Sequence, residues 1–140
     1  MNSQNILGLD PGRDKCGVAV IRVIDNKREA VFYQVIDAAK AIATIKFLAQ
    51  KYAIDLIVMG NGTTSQAWQH QIESNLLNVP VTTVNESNST LEARDRYWIM
   101  YPPQGFQRLI PQGLRIPPRP VDDIVAIILI ERYLQPFSVE

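Results

Sequence analysis

Three strand-like segments follow one another at the start of the chain, and they constrain the fold more than any other feature. They cover residues 5–10, 16–24 and 29–36 and are joined only by short polar turns. Connections this short predict an antiparallel meander. The pattern then changes to alternating helical and buried strand-like segments, which predicts a mixed sheet covered by helices rather than an all-β fold.

The later segments are assigned from the spacing and branching of their apolar residues. Helical spacing predicts helices over 38–52, 65–77 and 89–100. Short β-branched runs predict strands over 54–60 and 79–85. The last apolar run, 121–135, would also suit a strand, but its length and its leading acids favour a buried helix. The prediction is one α/β domain over residues 1–140, with a mixed five-stranded sheet and helices on both faces.

Two local features of these segments are also expected. Ser89 or Thr90 is a candidate N-cap for the third helix. The segment Gly60-Asn61-Gly62-Thr63 suits a strand-to-helix turn, and contact of its backbone amides with phosphate is the sharper alternative.

The composition limits which kinds of site the chain can build. With one cysteine and one histidine, the 140 residues offer no internal disulfide and no zinc site of the usual type. A metal would have to be bound by carboxylates, which suits Mg²⁺ or Mn²⁺. There is no secretory signal pattern and no apolar run of bilayer-spanning length, so we expect a cytoplasmic protein without a membrane partner.

Acidic residues lie at the ends of the predicted elements. Asp10 closes the first strand, Glu86 closes the last strand, and Asp122 and Asp123 open the last helix. In an α/β sheet these ends gather at one rim, where three carboxylates would repel one another unless a cation neutralised them. Each acid taken singly has a plainer explanation, as a turn residue, an exposed loop residue or a helix-capping residue.

Residues 102–120 contain six prolines and no periodicity. Arg108, Arg115 and Arg119 occur there without an acid, although the whole chain is neutral with 14 residues of each sign. Two similar pieces, 103–108 and 111–115, predict type II turns. Aromatic residues lie nearby, namely Tyr97, Trp98, Tyr101 and Phe106. This makeup suits either a mobile surface that binds nucleic-acid backbone through the three arginines or a packed surface loop.

Three motifs together resemble the YqgF and RuvC families of the ribonuclease H superfamily. Residues 6–20 resemble the opening strand-turn-strand, in which an aspartate ends strand one and a glycine opens strand two. Residues 85–93, Asn-Glu-Ser-Asn-Ser-Thr-Leu-Glu-Ala, are similar to the YqgF pattern Asp-Glu-Arg-Leu-Ser/Thr-Thr-x-Glu-Ala, with Asn85 and Ser87 as departures. Residues 121–133 resemble the final helix, and matching Ala126, Glu131 and Tyr133 places the family aspartate on Asp122 rather than Asp123.

The resemblance implies a ribonuclease H-like fold and a metal-dependent endonuclease. Asp10, Glu86 and Asp122 would be its catalytic residues and its ligands for Mg²⁺ or Mn²⁺. The nucleic-acid partner would be structured RNA, such as a ribosomal RNA precursor, or branched DNA, such as a Holliday junction. A homodimer is compatible with this prediction.

Another part of the chain points to an alternative within the same fold. Residues 59–65 and 84–86 look like the YqgF-type domain of the bacterial transcription accessory protein Tex. The alternative is therefore a non-catalytic nucleic-acid-binding module. Actin-like ATPases share the first motif, but they need two such lobes, and 140 residues are too few for both.

Overall fold

A computed structural model describes residues 3–76 and 78–134, which form a five-stranded sheet with helices. The strands are β1 Ser3–Asp10, β2 Lys15–Ile24, β3 Lys27–Asp37, β4 Leu56–Gly60 and β5 Val81–Val84. The α-helices are α1 Ala41–Lys51, α2 Ser65–Asn75, α3 Ser89–Met100 and α4 Asp122–Leu134. Short 3-10 helices cover Ala38–Lys40, Gly105–Leu109 and Gln112–Leu114.

The sheet combines an antiparallel half and a parallel half, in the order β3-β2-β1-β4-β5. β2 is antiparallel to both β1 and β3, whereas β4 is parallel to β1 and β5. β1 lies in the centre and alternates between two cores, because Ile6 faces one layer while Leu7 and Leu9 face the other. The predicted meander and mixed sheet are confirmed.

Helices cover both faces of this sheet, as predicted. α1 and α2 pack on the face of Leu7 and Leu9, while α3 and α4 pack on the face of Ile6. α4 is buried at every position from Asp123 to Ile130, because it lies between the sheet and α3. This burial explains why its apolar run is nearly continuous. No helix in the described ranges is long and apolar enough to cross a membrane.

Two local predictions about the helices need correction. The predicted helix over 38–52 begins as a 3-10 turn, and its α-helical part starts at Ala41. The N-cap of α3 is Asn88, not Ser89 or Thr90: Asn88 has a left-handed φ of 60°, and Ser89 is already helical and buried. An asparagine tolerates that conformation better than most residues.

The Pro-rich segment also differs from its prediction. The two predicted type II turns are instead the 3-10 helices at Gly105–Leu109 and Gln112–Leu114. In each, backbone N–H groups bond to carbonyls three residues earlier, as from Leu114 to Pro111 at 2.9 Å. The final residues of the predicted helices over 65–77 and 121–135 lie outside the described residues.

Candidate active site

Asp10 lies at the end of the central strand, where β2 and α4 approach it from one side. It pairs with Gly17 across the antiparallel ladder. A Cβ on Gly17 would overlap the backbone carbonyl of Asp122, so the glycine is what lets the start of α4 rest on β2. The opening motif thereby places Asp122 at the same end of the sheet as Asp10.

Glu86 approaches the same rim from the other side of β1, beyond β4. Its backbone N–H donates to Asn61 Oδ1 at 3.4 Å, and its carbonyl accepts from Ser89 N at 3.1 Å. A Cβ on Gly60 or Gly62 would overlap the Glu86 carboxylate, so these glycines make room for it. The sequence predicts these two glycines only as turn residues. Their contact with Glu86 could have been expected from the position of Gly60 at the end of a buried strand that neighbours the strand before Glu86.

The carboxylates at this rim interact electrostatically. Burial, with the charges of Asp122 and Glu86 adding to it, raises the pKa of Asp10 from 3.8 to about 7. Burial also raises the pKa of Asp122, and the charge of Asp123 contributes further. Burial and the neighbouring charges thus disfavour the ionised form of Asp10, which would not be so for an exposed turn aspartate.

The three acids differ from Glu131, the other half-buried acid of the described residues, in their hydrogen bonding. Within residues 3–76 and 78–134, no protein N–H or O–H donates to the carboxylates of Asp10, Glu86 or Asp122, which are all half-buried. Glu131, by contrast, accepts two bonds from Arg96, at 2.7 and 3.0 Å. Half-buried carboxylates normally find donors, so acids without donors suit an external cation.

The donor chemistry of the three acids fits a hard divalent cation, because carboxylate oxygens are what Mg²⁺ and Mn²⁺ prefer. In the described part of the chain, however, no group of three or more His, Cys, Asp or Glu side chains is arranged to hold a metal ion. Joint ligation by Asp10, Glu86 and Asp122 therefore requires their side chains to turn toward one another.

Asp123 has a different role from its neighbour Asp122. Its side chain is only 4% exposed and accepts a bond from Arg119 Nη1 at 3.0 Å. Its Oδ1 also accepts from the backbone N–H of Ile124 at 2.9 Å. These contacts stabilise the first turn of α4, which supports Asp122 as the member of the pair available to the site.

Two of the three predicted nucleic-acid-binding arginines are engaged within the chain. Arg115 Nε donates to the carbonyls of Gln107 and Ile110, each at 2.9 Å, and its guanidinium lies 5.7 Å from the ring centre of Trp98. Arg119 pairs with Asp123. Arg108 is exposed, and none of the described residues pairs with it. These contacts hold the Pro-rich segment against α3 and α4. The prediction of a mobile loop did not anticipate them.

Some of the nearby aromatic residues are packed in the core and others are exposed, so each of the two predicted alternatives, a packed loop and a binding surface, describes part of the cluster. Tyr97 and Trp98 are buried in the core beneath α4. Tyr101 is 39% exposed and Phe106 is 75% exposed. Arg119 lies 5.5 Å from the ring centre of Tyr101. Part of the aromatic cluster is packing, and part forms an exposed surface beside the arginines.

The first two motifs lie in a region of the chain that matches a known family. The sequence model of the family described as Tex protein YqgF-like domain matches residues 4–93. The chain belongs to this family. The match includes Asp10 and Glu86 and ends before Asp122. Protein tex of Bordetella pertussis is 40% identical over 68 residues, which is 45% of this chain and 9% of that protein. The chain thus matches only a small part of this curated relative.

Solved structures of the same fold extend the comparison beyond the family match. RuvC of Thermus thermophilus has a TM-score of 0.63 at 17% identity and covers 96% of both chains. The Holliday junction resolvase of fowlpox virus has a TM-score of 0.65 at 13% identity, covering 96% of this chain and 100% of that one. Identities this low show the fold alone, and they confirm the predicted ribonuclease H-like fold.

Proposed function

We propose that this YqgF-like domain is a divalent-metal-dependent endonuclease that acts in the cytoplasm on structured nucleic acid, either branched DNA or a ribosomal RNA precursor. The observation that carries the proposal is the rim where Asp10, Glu86 and Asp122 lie half-buried and accept no hydrogen bond from any described residue. Burial, with the charges of Asp122 and Glu86 adding to it, raises the pKa of Asp10, so a bound cation would stabilise the site. The ribonuclease H-like fold supports the same function, since the resolvase with this fold acts on Holliday junctions.

The residues of this chain have distinct parts in the proposed site. Asp10, Glu86 and Asp122 would hold Mg²⁺ or Mn²⁺, which when bound would activate water and stabilise charge in phosphodiester hydrolysis. Asn61 positions the backbone of Glu86, and the ion pair of Asp123 with Arg119 fixes the start of α4.

The Pro-rich segment contributes the positive charge that an acidic site lacks. Arg108, which is exposed, is proposed to contact the nucleic-acid backbone directly. Arg115 and Arg119 add positive charge to the same surface while their N–H groups hold the segment in place. Phosphate approaching three carboxylates needs such cations nearby.

A cleavage assay tests the proposed activity. The protein is incubated with a four-way DNA junction, a structured RNA and single strands, each with Mg²⁺, with Mn²⁺ and with EDTA. We expect cleavage of a structured substrate only with metal, and none by Asp10→Asn. Asp25→Asn is the matched control, because Asp25 is exposed at the opposite end of the β2–β3 hairpin and its φ of 57° suits asparagine. Cleavage that persists in EDTA or in Asp10→Asn contradicts the proposal.

Two specific observations favour a second candidate, a nucleic-acid-binding module without catalysis. The three acids are not arranged around a common metal position. Asn85 and Ser87, on either side of Glu86, are exposed and uncharged, so the site gains neither an acid nor a cation from them.

Calorimetric titration with Mn²⁺ distinguishes the two candidates. Mn²⁺ binding that Asp10→Asn abolishes supports the nuclease. Junction or RNA binding without any Mn²⁺ binding supports the module. Sedimentation of the same samples determines whether the protein is a homodimer.

A further inference from the structure

A small cleft lies directly beside Asp122, between the first turns of α3 and the end of the Pro-rich segment. Its volume is about 210 Å³, and its polar lining includes Thr90 and Arg94 from α3, with Arg119 and Asp122 opposite. Pockets for whole small-molecule ligands usually measure roughly 300–1,000 Å³. The smaller volume suits one group of an extended polymer rather than a free metabolite.

Arg94 differs from Arg119, the other arginine that lines this cleft. Arg119 donates to the carboxylate of Asp123 and to the backbone carbonyl of Pro120. Arg94 is exposed and makes no ion pair or side-chain hydrogen bond with any residue of the described ranges. It also does not pair with Asp122, although both side chains line the cleft. The cleft therefore contains a guanidinium and a carboxylate that are not paired with each other, so the guanidinium of Arg94 is available to an external anion.

Thr90 places a hydroxyl donor beside Arg94 in the lining of the cleft. Thr90 lies one turn before Arg94 on the same face of α3, since residues four apart are neighbours on a helix. A guanidinium and a hydroxyl side by side can together donate to the oxygens of one phosphate.

We propose that Arg94, with Thr90, forms a phosphodiester-binding subsite next to Asp122 that holds the nucleic-acid backbone against the acidic rim. The inference rests on the proposed nucleic-acid function and adds to it the residue that brings a phosphate to the acids. The bound group is a phosphodiester of an RNA or DNA strand. Arg94 binds it through the paired N–H groups of its planar guanidinium. A lysine would offer only a compact point charge at the same place.

Binding measurements in EDTA test this subsite without cleavage. A labelled four-way DNA junction and a labelled single-stranded RNA are titrated with the parent protein and its variants over a series of KCl concentrations. We expect Arg94→Ala to bind about tenfold more weakly to whichever probe the parent binds, and to lower the salt slope by about one. Arg94→Lys should keep the slope of the parent because it keeps the charge. Thr90→Val should weaken binding without changing the slope.

Arg28→Ala is the matched control. Arg28 is another exposed arginine, but it lies on β3 near the hairpin end remote from Asp10. We expect Arg28→Ala to bind like the parent. We also expect Arg94→Ala and Arg28→Ala to melt like the parent, because neither arginine pairs with another residue of the described ranges. The subsite is overturned if Arg94→Ala keeps the affinity and slope of the parent, or if Arg28→Ala weakens binding equally. These results leave the proposed function standing. A parent that binds neither probe overturns both.

Discussion

Replacing Asp10 by asparagine should stabilise the protein when no metal is present. The carboxyl group of Asp10 is half-buried, has no protein donor among the described residues, and carries a charge beside Asp122 and Glu86. Its pKa of about 7 means that the folded state disfavours its ionised form. The asparagine side chain has the same shape and removes the charge, so the repulsion is relieved while the packing is kept.

The magnitude follows from the shift in pKa from 3.8 to about 7. About 3 pKa units at about 1.4 kcal/mol each set a ceiling of about 4 kcal/mol on the penalty for ionised Asp10. A buried amide without partners costs about 1–3 kcal/mol itself, so we expect a net gain of at most about 1–3 kcal/mol near pH 8.

The sign of the pH dependence follows from proton binding. Because the pKa of Asp10 is higher in the folded state, the folded protein keeps a proton between about pH 4 and pH 7 that the unfolded chain has released. The contribution of Asp10 to stability therefore falls as the pH rises through this window. Asp10→Asn lacks this fall.

Urea unfolding in EDTA at several pH values measures both effects, with Asp25→Asn as the control for loss of an exposed charge. Mg²⁺ or Mn²⁺ should then stabilise the parent and not Asp10→Asn, because only the parent gains binding free energy. The reasoning is refuted if Asp10→Asn is less stable than the parent at pH 8. Asp10 would then be a turn-forming residue whose carboxylate is needed for the fold.

Two further predictions distinguish the roles of neighbouring residues. Asp122→Asn should fold normally and lose metal-dependent cleavage, whereas Asp123→Asn should cost about 2–3 kcal/mol of stability because it leaves the Arg119 cation without its buried partner. Equal melting temperatures for the two variants would contradict this division. Gly60→Ala should lower the cleavage rate at least about tenfold with only a modest loss of stability, since its methyl group overlaps chiefly the flexible carboxylate end of the Glu86 side chain and crowds the Glu86 Cβ less. Gly113→Ala, whose Cβ would meet nothing within 4 Å, is its control, and an unchanged rate for Gly60→Ala would count against Glu86.

Much of the fold could be predicted because local patterns and packing agree. β1 and β2 are short and apolar with buried residues on both faces, so their period and branching already indicate strands. α4 was distinguishable from a strand by its length and its leading acids. The boundaries were less accurate, since the caps at Lys40 and Asn88 depend on backbone conformations that residue types indicate only weakly.

The positions of the acids were also accessible from the sequence, because strand ends and helix starts share a rim in this class of fold. The sequence could not separate Asp122 from Asp123 except through a family pattern. The structure separates them physically: one is paired with Arg119 and buried, and the other has no donor among the described residues.

The sequence by itself determined the order of strands and helices and placed Asp10, Glu86 and Asp122 at element ends, since both depend on residues close together along the chain. Only the tertiary structure decided which charges are available, because pairing depends on residues that are distant in sequence. It engages Arg115 with backbone carbonyls and Arg119 with Asp123. It leaves Arg94, in the cleft beside Asp122, without a partner in the part of the chain that the structure describes. It also showed that Gly17 and Gly60 are required by contacts with Asp122 and Glu86, which no local turn preference could indicate.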